Sequence, residues 1–224
     1  MKKFCFFLLL IFSLSCDVAA FTPGYSGNGI MYAQAGVTNF RPFRLNEYLR
    51  SQIAGNEFEY FACAGVGFNT ETGIARPDKS LDAHFGFNYY FRQRSDFGMF
   101  VPSSMEITGW ELNTSLYGFD FLAPRWIDLT AAPGVSWGSL RMKYSDSNES
   151  FHFRNIFIAP HVRAELRLNL AFITIGARWS YRWDVTGSAW KTIGNSNNLY
   201  FPGYRFREMQ YMVYLGYRIN WKDK

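Results

Sequence analysis

The stretch Tyr211-Met-Val-Tyr-Leu-Gly-Tyr-Arg-Ile-Asn-Trp221 decides the fold. Tyr211, Val213, Leu215, Tyr217, Ile219 and Trp221 fall on one parity, and Met212, Tyr214, Gly216, Arg218 and Asn220 on the other. A period of two means a strand, because successive side chains leave opposite faces of a sheet. One face is apolar with aromatic ends, and the other is mostly polar or small. Such a strand suits the boundary between lipid and a polar lumen.

The alternation recurs upstream. Strand-like segments lie near 28–40, 56–69, 80–93, 104–119, 126–143, 153–167, 170–186 and 207–221. Each is longer than the five or six residues usual in soluble sheets. Phe58, Tyr60, Ala62, Ala64, Val66 and Phe68 share a face in the second segment, which turns Glu59 inward. In the third, Leu81 to Phe91 at odd positions oppose His84, Gly86, Asn88 and Arg92. Trp110, Leu112, Thr114 and Leu116 oppose Glu111, Asn113 and Ser115 in the fourth. The sixth sets Ile156, Ile158, Val162, Ala164 and Leu166 against His161, Arg163, Glu165 and Arg167. The seventh sets Ala171 to Trp183 at odd positions against Thr174, Gly176, Arg178, Ser180 and Arg182. The first segment is weak, and the fifth is blurred at Ala131-Ala132-Pro133-Gly134.

Short connections alternate with longer ones. Leu168-Asn169 reads as a two-residue hairpin, with Asn suited to positive φ. Residues 120–125 form another short turn. The connections at 41–55, 94–103, 144–152 and 187–206 are mostly longer, as outer loops of a membrane barrel would be. Residues 70–79 are long for an inner turn. A symmetric hairpin about 144–152 puts Pro133 opposite Pro160, both facing out. Each removes a ladder donor, so a local bulge or kink is expected there. Leu45, Tyr48, Leu49 and Ile53, after Pro42, have helical spacing and predict a short helix in the first outer loop.

The ends and the composition agree with this reading. Lys2 and Lys3 precede an apolar run from Phe4 to Ser15 that is too short to span a bilayer, and Val18-Ala19-Ala20 offers small residues before a cut. Residues 1–20 therefore read as a signal peptide, and 21–224 as one barrel domain. Lipidation at Cys16 is the rival reading, with Ser13 standing where such a box usually has Leu. Cleavage leaves 204 of the 224 residues and takes the net charge from +5 to +4 by removing two lysines and one aspartate. No basic run accompanies that excess, so nucleic acid is not an expected partner. Cys63 is the one cysteine beyond the signal, which excludes an internal disulfide and leaves no zinc spacing. Aromatics make up 20% of the residues while the mean hydropathy is −0.14, as when lipid-facing and lumen-facing residues alternate.

The terminal segment resembles the assembly signal of outer-membrane barrels in Tyr214, Gly216, Ile219 and Trp221, and departs from it in the polar Lys222-Asp223-Lys224 that follow. Residues 21–221 resemble the small outer-membrane β-barrel proteins, the porin-like barrels of Bacteroidota and, more distantly, the OmpA/OmpX-like barrels. The resemblance implies an all-β, closed, antiparallel transmembrane β-barrel of about eight strands. It also implies the outer membrane of a Gram-negative bacterium, outer-membrane lipid as solvent, and the barrel-assembly machinery as a partner in biogenesis. A surface or secretion-complex partner is left unidentified.

The inward parity collects Glu59, His84, Glu111, His161, Arg163, Glu165, Arg178, Arg182 and Arg218. An eight-stranded barrel is nearly filled by its own side chains, and charges in it must pair. A structural lumen cluster that plugs the barrel is therefore favoured over a pore or an active site. Lipid A deacylases on this architecture use a His and a Ser two apart on a strand. The three histidines here, His84, His152 and His161, have no such Ser. No catalytic, cofactor or metal site is read in the sequence, although a triad assembled in space stays open. Cys63 reads as a small inward filler. The tryptophans read as interfacial girdles, except Trp190, which sits in the loop 187–206 with Asn195, Asn198, Tyr200 and Phe201. That loop is the expected partner-contacting surface. The expected function is an integral outer-membrane barrel with a structural or surface-interaction role. The alternatives are an outer-membrane lipid-modifying enzyme, a narrow pore, and a soluble periplasmic lipocalin-like binding barrel.

Overall fold

The computed structural model describes residues 27–39, 46, 49–50, 57–73, 80–98, 102–115, 119–122, 127–147, 149–170, 172–187, 190–193 and 206–221. Among them are ten strands: β1 (Gly27–Asn39), β2 (Phe61–Gly73), β3 (Ser80–Phe97), β4 (Ser103–Ser115), β5 (Phe119–Leu122), β6 (Ile127–Ser145), β7 (Ser150–Leu170), β8 (Ile173–Trp183), β9 (Lys191–Thr192) and β10 (Arg207–Trp221). Eight of them close an antiparallel barrel, because β10 pairs back on β1 without a break from Gly27↔Trp221 to Asn39↔Met209. The two short strands lengthen existing walls. β5 follows β4 along one side of β6, and β9 follows β8 along one side of β7. Closure removes the exposed edges that an open sheet would present.

The registers fix the barrel's shape. From Arg207 the ladder passes to Trp183 and, one residue beyond the His161↔Arg182 pair, to Pro160. It continues through Val135, Thr114, Phe85, Phe68 and Met31 and returns to β10 at Tyr217, ten residues on. A stagger of ten across eight strands, at about 3.3 Å rise and 4.8 Å spacing, requires a tilt of about 41° and a backbone radius of about 8 Å. At that tilt Tyr89, Trp110, Trp137 and Trp183 come within about 3 Å of a common height, as an interfacial girdle would.

Burial follows the two-residue period with the apolar face outward. On β10, Tyr211, Val213, Leu215 and Tyr217 are exposed, whereas Met212 and Tyr214 are buried. The same holds for Ile175 and Trp179 on β8, Val162 and Leu166 on β7, Trp137 on β6, Leu112 on β4, Phe87 and Tyr89 on β3, Val66 on β2 and Met31 on β1.

Several expectations are corrected. β7 runs through Leu168-Asn169 to Leu170 and β8 begins at Ile173, so the two-residue hairpin is not at Leu168-Asn169. Asn169 instead points inward, donating to Asp128 Oδ2 at 2.5 Å and accepting from Thr174 Oγ1 at 3.0 Å, so its polarity serves the inner end of the lumen. No bulge interrupts the β6–β7 ladder, and the prolines are offset as Pro133↔Val162 and Val135↔Pro160. The Ile158 carbonyl accepts from Val185 N, on the β8 side. Residues two apart point the same way, so Pro160 and Val162 also face β8, and Pro133, opposite Val162, faces away from β7. Each missing donor thus points to where a neighbouring ladder stops, at His161↔Arg182 for one and between Val135 and Ala131 for the other. The bulge is on β3 instead, where the register shifts between Tyr90 and Gln93. It moves the inward parity from His84, Asn88 and Tyr90 to Ser95 and Phe97, and Arg92 becomes exposed. Most of loop 41–55 lies outside the described residues, and the predicted helix with it, although Asn46, Leu49 and Arg50 have helical backbone.

Small residues make room for the large inward side chains. The Tyr214 ring covers Gly176, its cross-strand partner, so a Cβ there would lie 2.1 Å from Tyr214 Cζ. Gly176→Ala is expected to cost about 1–3 kcal/mol through overpacking. Urea midpoints of the barrel in micelles measure this, and the loss should shrink in a Tyr214→Ala background.

Candidate functional site

The lumen is the one place where inward side chains from every wall converge, and it has two layers. Nearer the loop ends it is apolar. Met105 and Ile107 on β4, Leu140 and Met142 on β6, and Phe153 and Phe157 on β7 pack there with Phe61 and Cys63. Leu49, Phe58, Trp190 and Phe206, all outside the strands, complete the cluster. Asn46 secures the first of these connections: it donates to the Phe58 carbonyl at 2.9 Å and accepts from Phe58 N at 3.0 Å. Cys63 is buried with its Sγ 3.3 Å from Met212 Sδ, a packing contact in this layer.

Below the apolar layer the lumen is charged. Glu165 is fully enclosed and is the hub. It accepts from Arg163 Nη1 at 3.1 Å, Arg178 Nε at 2.8 Å and Tyr214 Oη at 2.6 Å, and it forms an ion pair with Arg167, whose Nε lies 2.8 Å away. Arg178 lies across the Tyr32 and Tyr214 rings, 4.9 and 5.3 Å from their centroids. Its Nη1 donates to Tyr32 Oη at 3.1 Å and Gln34 Oε1 at 3.0 Å. Gln34 donates to Asn88 at 2.5 Å, and Asn88 donates to Glu111 at 2.7 Å. Glu111 pairs with Arg182, which also pairs with Glu208. One network therefore runs from Arg163 to Glu208 across the interior.

The sequence-derived lumen residues divide accordingly. His84, Glu111, His161, Arg163, Glu165, Arg178 and Arg182 are buried inside the barrel. Glu59 is not: it precedes β2, and the hydrogen bonds from Asn46 draw its neighbour Phe58 inward, leaving Glu59 in solvent. Arg218 is half-buried at the turn end, near the Phe172 carbonyl that its backbone N–H donates to. Arg167, Tyr32, Gln34, Asn88, Glu208 and Gln210 join the network, and inward parity on their strands was the signal that could have found them. The signal for the apolar layer is an inversion of the alternation near the loop ends of β4, β6 and β7, where Met105, Ile107, Leu140, Met142 and Phe153 face inward and Glu106, Arg141, Lys143, His152 and Arg154 face outward. Trp190, expected in a contact loop, is buried in that layer. Asn195, Asn198, Tyr200 and Phe201 lie outside the described residues. Of the assembly-signal residues, Tyr214 and Gly216 face inward, and a Cβ on Gly216 would meet Ile30 Cγ2 at 2.6 Å. Ile219 is half-buried, and Trp221 ends β10.

No protein-family model matches the sequence, and no curated protein matches it. Among solved structures it is similar to Ail, the attachment invasion locus protein of Yersinia pestis. That match has 13% identity and a TM-score of 0.42 over 88% of this chain and 100% of the other. It is similar to Neisserial surface protein A at 11% identity and a TM-score of 0.40, over 89% and 100% of the two chains. A major outer membrane protein from Thermus thermophilus matches at 9% identity and a TM-score of 0.44, over 85% and 99%.

One pair has the residue types of acyl-transfer chemistry. Ser136 Oγ lies 3.2 Å from His161 Nδ1. Both are buried, and the cavity they line with His84, Arg163, Arg178 and Arg182 measures about 10 Å³. That is space for about one water molecule and none for a lipid. Among the described residues no group of His, Cys, Asp and Glu is arranged to hold a metal ion. What the geometry does supply is charge pairing in an enclosed space. Glu165→Gln should therefore destabilise the barrel by about 3–5 kcal/mol, because three guanidiniums would lose their shared anion in a buried site. Urea unfolding in micelles gives the value, with exposed Glu59→Gln as the near-neutral reference.

Proposed function

We propose that this chain is an integral outer-membrane β-barrel of a Gram-negative bacterium, with a structural or surface-interaction role and a lumen sealed by its own side chains. The observation that carries the reading is the inverted polarity: below the loop ends the walls expose apolar side chains such as Leu112, Val162, Ile175 and Leu215, and enclose Glu111, Arg163, Glu165, Arg178 and Arg182. A soluble binding barrel of the lipocalin type needs the opposite arrangement, an apolar pocket within a wetted surface. Along β10 the outward residues from Met209 to Ile219 cover about 34 Å of strand, or about 26 Å of height at a 41° tilt, close to the ~25 Å apolar band of outer-membrane barrels.

The same proposal includes removal of a signal peptide near Ala20, with Cys16 lipidation as its rival, since residues 1–26 lie outside the described ones. It includes assembly by the barrel-assembly machinery and a surface or secretion-complex partner. Conduction is disfavoured by the apolar layer and by the paired charges beneath it. Enzymatic action on lipid is disfavoured by the enclosure of Ser136 and His161.

Two measurements on the purified membrane form test the reading. Unboiled protein should migrate differently from boiled protein on a semi-native gel, and the folded form should give no single-channel steps in a planar bilayer. Identical migration together with solubility free of detergent would remove the membrane assignment. Steady conductance steps would remove the sealed lumen.

A further inference from the structure

The outer surface of the β6–β7–β9 wall carries a feature that barrel stability does not explain. Arg141 on β6 is directly opposite Arg154 on β7, and Arg154 is directly opposite Lys191 on β9. Lys143 is directly opposite His152 in the next outward row. All five are exposed. Like charges facing each other across a ladder are destabilising, so this register works against the sheet that presents it. Glu106, opposite Lys143, is drawn the other way, toward Arg92 and Arg94 at 3.6 and 3.7 Å. Three cations in the Arg141 row span about 10 Å, two inter-strand spacings.

The patch has a defined height. Arg141 is two outward positions above Trp137, about 10 Å nearer the loop end at a 41° tilt. Arg154 is one outward position above the exposed Ile156. Its Nε donates to Ser139 Oγ at 3.0 Å, which turns the guanidinium back toward the apolar belt. Long basic side chains at such a height reach the headgroup layer of a bilayer. We propose that Arg141, Arg154 and Lys191 form a binding site for the phosphate of an outer-leaflet lipid headgroup, whose acyl chains lie against Trp137 and Ile156. A lipid supplies both halves of the complementarity, anionic above and apolar below, and a soluble anion supplies one. The inference rests on the membrane reading above.

The test is native mass spectrometry of the full chain in micelles doped with phosphatidic acid or with phosphatidylcholine, and separately with inorganic pyrophosphate. Wild-type protein should retain phosphatidic acid in preference to the other two. Arg141→Gln/Arg154→Gln/Lys191→Gln should weaken that retention roughly tenfold or more, given the contribution of each basic group at an anionic lipid surface. Arg141→Lys/Arg154→Lys should preserve it. Equal retention of both lipids, binding of pyrophosphate as strong as that of the lipid, or a glutamine variant that behaves like wild type would each overturn the site. Every variant is first run boiled and unboiled. A retained gel shift without lipid preference refutes the site and leaves the barrel standing, whereas loss of the shift in wild-type protein refutes the membrane reading beneath it.

Discussion

A single carboxylate, Glu165, holds three arginines inside a barrel with space for about one water molecule beside them. Each buried ion carries a desolvation cost of several kcal/mol unless charge and hydrogen bonds replace the water it lost. The surrounding structure supplies much of that replacement. Tyr214 and Tyr32 place hydroxyls and ring faces on the network, Gly176 and Gly67 leave space for those rings, and Gln34 and Asn88 carry the hydrogen bonds on to Glu111 and Arg182. Changing the register of any one wall by a residue would send its share of this network into the outer face.

The outer face sets the complementary constraint. A wall whose exposed side is Val213, Leu215, Ile175 and Val162 is stable only against an apolar solvent, and a closed barrel is the one sheet that leaves no unpaired backbone in such a solvent. Shear, tilt and radius follow from the ladder alone. They place the apolar belt, the aromatic girdle and the basic rows of β6–β7–β9 in an order that matches a membrane leaflet from core to headgroup.

The fold was legible because a period of two survives in most of the long segments, and because the last strand shows both faces cleanly from Tyr211 to Trp221. Inward parity also located His84, Glu111, His161, Arg163, Glu165, Arg178 and Arg182. The rest was hidden for physical reasons. Parity carries no information across a bulge, so the inward face beyond Tyr90 was misread at Arg92. Glu59 was misplaced because Asn46, earlier in the same connection, sets the backbone before β2. The apolar layer escaped notice because the alternation inverts near the loop ends of β4, β6 and β7, with apolar residues inward and Glu106, Arg141, Lys143 and Arg154 outward, and its closing residues Leu49, Trp190 and Phe206 come from connections.

The central claim is an inside–outside assignment, and tryptophan quenching by bromine-labelled lipid chains tests it most directly. Proteins keeping only Trp137 or only Trp190 would be folded into bilayers of brominated and of ordinary lipid. The account predicts strong quenching of the outward Trp137 and little of Trp190, which is enclosed in the lumen's apolar layer. Quenching of Trp190 with Trp137 untouched would invert the barrel, and quenching of neither would take it out of the membrane.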